Sequence, residues 1–408
     1  MKLLRIATAY QSYWEDFYAR RPGLAEQSYG HQKNTLDFDG FGWADFWANA
    51  LNPLGYDVME VTANIAPLQR AWALENNIDC SGKDWLLKIA FEQAKRFQPV
   101  VLFIDNHSVF PPVWLEELRV FCPSIRLLIS WCGAPYQDPA IFRAYDLVLS
   151  CIPEFVEQFR QMGHWSEHIN HAFEPRILER ISSVPEPAID FSFIGQIVRG
   201  SQYHLQREKI LERLVTEIPI SIYSPNASIS WKRRLKITTK QVAHRIVEGL
   251  HKAGVSKSWL IKIPKVEYLI DLPRSLLSPV NPQLQPFMKP AVFGLDMYRT
   301  LQNSKVTFNS HIDVSPNSAS NMRMFEATGV GTCLITDWKR NINTLFEPDR
   351  EVVTYKSAEE CIEKVKWLLE HPAQRLAIAQ AGQARTLKFH TFKQRAEQLN
   401  SLIVNALK

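Results

Sequence analysis

Glycine is scarce, at sixteen of 408 residues, which leaves little room for glycine-rich phosphate loops. "GFGWAD" (40–45) and "GVGTCL" (329–334) each space two glycines, but neither supplies the third of a dinucleotide fingerprint. The six cysteines (Cys80, Cys122, Cys132, Cys151, Cys333, Cys361) contain no C-x-x-C pair, which argues against a zinc site or a disulfide framework. Several sit in apolar runs such as "LVLSC" and "TCLIT" and read as small buried hydrophobes. No run approaches the roughly 18 apolar residues of a membrane span. The opening "MKLLRIATAY" is interrupted by Arg5 and is too short for a signal-peptide core, so the expected location is cytoplasmic.

What is present is ordinary for a globular protein: 46% hydrophobic and 22% charged residues, enough for a core without metal or disulfides. The net charge of +5 is unevenly placed. Lys232 to Lys265 holds ten Lys or Arg against one acid, Glu248. Trp231, Leu235, Val242, Ile246 and Leu250 give this stretch an apolar helical face. It reads either as a peripheral contact with anionic lipid or a polyanion, or as a solvated helix packed on its own domain. No recognised nucleic-acid module surrounds it.

Short β-branched runs alternate with helical patterns, which predicts parallel α/β units. "LLRIATA", "YDVMEV", "VVLFID", "IRLLIS" and "DLVLSC" read as strands in the first half, and "FSFIG", "ISIYS", "KVTFNS", "TCLIT" and "EVVTY" in the second. Helices are expected at 202–217, 294–303, 320–328 and 357–370, the last with a Ser357–Glu360 capping box. Two further helical patterns close the chain. "SSVPEPAID" (182–190) breaks the pattern like an interdomain connection. The expectation is two doubly wound domains, 1–186 and 187–408, facing each other across a cleft.

"NMRMFEATGVGTCLIT" (321–336) sets Arg323 and Glu326 one helical turn apart beside a buried strand. A helix starting near Ser320 and Asn321 turns free N–H groups outward beyond the end of "KVTFNS", the usual ligand position in such sheets. There Arg323 can fork onto a phosphate and Glu326 can accept from vicinal hydroxyls. Alternatively the two simply pair along the helix, worth about 0.2–0.5 kcal/mol in isolation.

That stretch resembles the C-terminal domain of CgeB-like glycosyltransferases, relatives of the family-1/family-4 group with the two-domain GT-B fold. "FGLDMYRTLQNSKVTFN" before it, and "LFEPDREVVTY" and "HPAQRLAIAQAGQARTLKFHTFKQRAEQL" after it, carry the same likeness. It is strongest over 290–400 and continues through "FSFIGQ…YHLQREKIL" and "PSIRLLISW…YDLVLSC…FRQMG". The resemblance implies an N-terminal acceptor domain and a C-terminal donor domain that binds a nucleoside-diphosphate sugar. It implies transfer of a sugar of hexose type to an unidentified acceptor (saccharide, lipid-linked or protein), without metal or other cofactor. Glu326 would match the glutamate that holds the donor ribose. Arg323 would face the diphosphate with the helix amides of Ser320 and Asn321, and Gly195 would let the backbone approach the phosphates. Arg199 and Arg207 are further diphosphate candidates. Ser318 stands where many family-4 enzymes carry another glutamate. A sugar-nucleotide epimerase of the same fold, or a non-catalytic nucleotide-sugar-binding protein, are the alternatives.

For the sugar end the candidates are His107, just beyond "VVLFID", and nearby Asp105, which ends that run; His31 and His171 also fall in expected loops. Each histidine is otherwise a surface or structural residue. "DFD" (37–39) has Asp-x-Asp metal spacing in an expected loop, a site that GT-B enzymes do not need.

Overall fold

The computed structural model describes residues 1–136, 138–197, 205–227 and 281–408, with a few isolated positions between 239 and 250. Its strands are β1 (Lys2–Ala7), β2 (Asp57–Thr62), β3 (Val101–Ile104), β4 (Leu127–Trp131), β5 (Leu147–Ser150) and β6 (Ser166–His168). Then follow β7 (Ile189–Ile194), β8 (Ser221–Tyr223), β9 (Met288–Lys289), β10 (Ser304–Asn309), β11 (Cys333–Asp337) and β12 (Val353–Tyr355). They form two six-stranded sheets, ordered β2-β1-β3-β4-β5-β6 and β12-β11-β10-β7-β8-β9, and every pairing within them is parallel.

Parallel strands are covered by helices on both faces, so they lack the in–out alternation of a half-exposed strand. VLFI, LLISW and LVLS (β3 to β5) are buried at every position. All ten strands expected from apolar runs are present. β6 and β9 were not anticipated: three and two residues long, they are too short to carry a pattern. The expected helix at 202–217 is described over Leu205–Leu214, and the one at 320–328 spans Met322–Gly329. At the helix Ala358–Glu370, Ser357 Oγ accepts from Glu360 N, but the Glu360 carboxylate accepts from Lys356 N. That is half of the expected capping box; the reciprocal box is at Thr391 and Gln394. All six cysteines are free and five are buried.

The connection 182–188 carries no regular structure, and the second sheet begins with Ile189. The helix Phe392–Leu407, assigned from its place in the sequence to the second domain, packs on the first instead. Phe392 meets the rings of Phe46 and Trp47 at 5.2 and 5.4 Å. Tyr56 donates to Asn400, Gln398 donates to the His168 carbonyl, and Arg126 donates to the Leu407 carbonyl. One apolar core therefore runs from the first sheet through this helix into the helices Gly294–Gln302 and Met322–Gly329. A second core covers the other face of the second sheet.

Polar and aromatic contacts also span the domains. Arg20 pairs with Asp296 at 2.5 Å, Tyr13 meets Phe293 edge-on at 5.8 Å, and Ser318 donates to Glu154 at 2.9 Å. Gly294 is required at its position. It has φ +50°, and a Cβ there would fall 1.9 Å from a carboxylate oxygen of Asp39.

Candidate functional site

Read from its own first strand, the second sheet runs 3-2-1-4-5-6, and the order reverses between β7 and β10. Ligands of open α/β sheets bind outside the carboxyl ends of the strands at that reversal. Arg207 bridges this point. Its Nη1 donates to the Gln196 carbonyl beyond β7 (3.0 Å), and its Nη2 to the Ser310 carbonyl beyond β10 (2.6 Å). It is 8% exposed, and burial pulls its pKa below the usual guanidinium value. Arg207 thus ties the two strand ends together at the place where it was a diphosphate candidate. Gly195 ends β7 with its N–H on the Tyr223 carbonyl, and a Cβ there would press on the Phe193 ring at 2.9 Å. Arg199 lies outside the described residues, as does most of the basic segment 232–265.

The helix Met322–Gly329 starts beside β10. Its N-cap, Asn321, has extended backbone and places no side-chain cap on the helix amides. The Asn321 amide instead donates to Asn309 (2.8 Å), which donates to Thr336 (2.8 Å), fastening the helix start to the ends of β10 and β11. Ser320 is buried just ahead of it. Arg323 Nη1 meets Glu326 at 2.8 Å and also contacts the Met297 sulfur. The side chains are 19% and 7% exposed, so the carboxylate is buried and the guanidinium half-buried. Burial raises the Glu326 carboxyl above its usual pKa, against the opposing charge of Arg323.

Tyr10, in the loop after β1, joins the two domains electrostatically. Its phenol, 61% exposed, interacts electrostatically with Glu326 and Arg323 of the second domain and with Asp105 of the first.

The sugar-end candidates are not partners of each other. Asp105 Oδ2 accepts from Arg5 at 2.8 Å, within a buried cluster in which Arg5 also bonds Glu60. Burial still raises the Asp105 carboxyl above its usual pKa. His107 instead places Nδ1 3.3 Å from the Trp131 carbonyl and its ring 4.6 Å from Phe142. It is buried, and burial lowers its pKa. His31 lies on the helix Tyr29–Asp39, exposed. His171 is half-buried against Trp43 and Trp131, and desolvation takes its pKa down to about 3. "DFD" closes the helix Tyr29–Asp39, where a loop was expected; Asp37 pairs with Lys33 and Asp39 with Tyr13 and Arg21. Ser318 holds one oxygen of Glu154, whose other oxygen is buried without a partner.

One group escaped the sequence reading. His311, just past β10, and Asp337, at the end of β11, meet at 2.7 Å, and Lys339 reaches the other Asp337 oxygen at 3.1 Å. Nothing in the spacing of residues 26 positions apart announces this contact; only the pairing of β10 with β11 creates it.

Comparison with known proteins agrees with this architecture. A glycosyltransferase from Rickettsia africae superposes over 100% of this chain and 98% of its own, with TM-score 0.55 and 11% identity. Sucrose-phosphate synthase from Thermosynechococcus elongatus gives 100% and 99%, TM-score 0.54 and 11% identity. The Anabaena protein HepE, in complex with UDP-glucose, gives 99% and 100%, TM-score 0.55 and 11% identity. The two-sheet arrangement is the GT-B fold. Residues 284–401 match a family model described as glycosyl transferase-like, and this segment contains the helix Met322–Gly329 and both Arg323 and Glu326. No match was found among curated proteins.

Proposed function

We propose that this protein is a glycosyltransferase of the CgeB-like type that moves a sugar from a nucleoside-diphosphate donor to an acceptor held by the N-terminal domain. The observation that carries this reading is the helix Met322–Gly329, which starts at Asn321 outside the β7–β10 reversal and carries Arg323 and Glu326 in its first turns. Such a reaction asks the protein mainly to orient the donor and to stabilise the departing diphosphate. The partial positive charge at the helix start and the Arg323 guanidinium supply that stabilisation. Glu326 accepts from ribose hydroxyls. Arg207 keeps the strand ends at the spacing that the diphosphate needs. HepE, of the same fold, is seen with UDP-glucose, which supports a nucleotide sugar as donor. Donor turnover without metal, and peripheral contact with anionic lipid through residues 232–265, belong to the same reading. Among the described residues no helix is long and apolar enough to cross a membrane.

The test is a thermal-shift screen against nucleoside diphosphates and nucleotide sugars, because a ligand that binds only the folded protein raises its apparent stability. A rise with one nucleotide series, absent with free sugars, is the expected result. No shift with any of them overturns the proposal.

A further inference from the structure

We infer that His311, held by Asp337, is a diphosphate-binding residue of the donor site, donating from Nε2 to a phosphate oxygen. This rests on the donor-site reading above and names a residue which that reading does not contain.

The geometry fixes the ring. Asp337 Oδ1 accepts from both the backbone N–H of His311 (3.0 Å) and its Nδ1 (2.7 Å), while Lys339 donates to Oδ2 (3.1 Å) and to the Pro316 carbonyl (2.9 Å). A carboxylate only accepts, so Nδ1 carries a proton and Nε2 is the atom left for other work. His311 is 3% exposed, and Nε2 is buried without a hydrogen-bond partner. An orphaned buried polar atom costs stability. A second orphan belongs to the same hydrogen-bond network, the side-chain oxygen of Asn321, linked through Asn309 and Thr336 to Asp337.

The dyad stands among charged groups and at a strand edge. Arg207 ends on the carbonyl of Ser310, the residue before His311, and its guanidinium is acted on by both Asp337 and Arg323. Arg207, Lys339 and Arg323 bring cations to this place, beside the carboxylates of Asp337, Glu326 and Asp313. Donation from Nε2 while Nδ1 serves Asp337 takes the doubly protonated ring, and the bond to phosphate is then charge-assisted. The dyad sits at the carboxyl edges of β10 and β11, beside the reversal where phosphates bind in such sheets. Nε2 is covered here, so binding requires a local shift that uncovers it.

Two variants separate this role from a structural one. His311→Asn keeps an amide donor for Asp337 and removes Nε2; His311→Gln places an amide nitrogen near the Nε2 position. Calorimetric titration would compare UDP, ADP and GDP with uridine, adenosine and guanosine. Expected is a loss of about ten- to a hundredfold for the diphosphate in His311→Asn, the usual size for a charge-assisted bond. The matching nucleoside should bind within twofold of the parent, and His311→Gln should recover part of the loss. A folded His311→Asn that binds the diphosphate within threefold of the parent overturns the inference and leaves the donor site standing. Equal losses for diphosphate and nucleoside in both variants make the dyad structural and also overturn it. A parent protein that binds none of the six ligands removes the donor-site reading, and this inference with it.

Discussion

Replacing Arg323 with Met tests what the pair at the helix start is worth. On a solvated helix an i,i+3 pair contributes about 0.2–0.5 kcal/mol, and its loss would barely register. The structure places the pair elsewhere, with the Glu326 side chain 7% exposed, Arg323 19% exposed and 2.8 Å between them. Breaking a buried pair by removing one partner typically costs about 3–5 kcal/mol, because the other charge is left uncompensated. Arg323 keeps about a fifth of its surface in water, and Glu326 is already shifted towards its neutral form. Both facts place the expected loss for Arg323→Met near the lower end, about 3 kcal/mol. Glu326→Gln leaves an amide oxygen for Arg323 and should cost about 1–2 kcal/mol. The double variant Arg323→Met/Glu326→Gln removes both charges and should be more stable than Arg323→Met alone, by about 1–2 kcal/mol. Urea unfolding of the four proteins, followed by tryptophan fluorescence, measures the cycle. Nucleoside diphosphate titrations should show weakened binding in every variant that folds. Additive losses below about 0.5 kcal/mol each would match a solvated pair and refute the argument from burial. Large losses with parental ligand affinity would make the pair structural and remove it from the donor site.

Burial lowers the pKa of His171 to about 3 and of His390 to about 4, so the folded protein binds fewer protons there than the unfolded chain. Their contribution is complete above about pH 6.5 and is lost as pH falls towards those values, at up to about 1.4 kcal/mol per pH unit for each histidine. Urea midpoints at pH 7.5, 6 and 5 should fall in that order, less steeply in His390→Gln; a flat series contradicts this. Phe392→Ala removes the ring that seats the last helix against Phe46 and Trp47, and should cost about 3–5 kcal/mol. Limited proteolysis should then release the C-terminal helix first, and an unchanged cleavage pattern would place the interdomain anchor elsewhere. Donor turnover should survive EDTA, and activity restored only by manganese or magnesium would return attention to Asp37 and Asp39.

Much of this molecule was legible in one dimension. Apolar runs such as "VVLFID" and "TCLIT" marked the strands, because a parallel strand buried on both faces must be apolar throughout. Helical periodicity placed Glu326 and Arg323 on one face, and proline-rich "SSVPEPAID" marked the passage between the sheets. The motifs from 290 to 400 pointed to the GT-B architecture. Other features depended on which segments become neighbours, and periodicity within a segment does not encode that. The helix Phe392–Leu407 has an apolar stripe, but only the packed structure shows the stripe on the first domain, against Trp47 and Phe46. Asp105 lies two residues from His107 in the chain, yet the pairing of β1 with β2 and β3 gives it to Arg5, which Glu60 also holds. His311 and Asp337 meet because β10 and β11 pair side by side with Asn309 opposite Thr336, which brings the residues just beyond each strand to one edge. Local sequence fixes which face a side chain takes; strand order, set by the crossovers, decides what waits on that face.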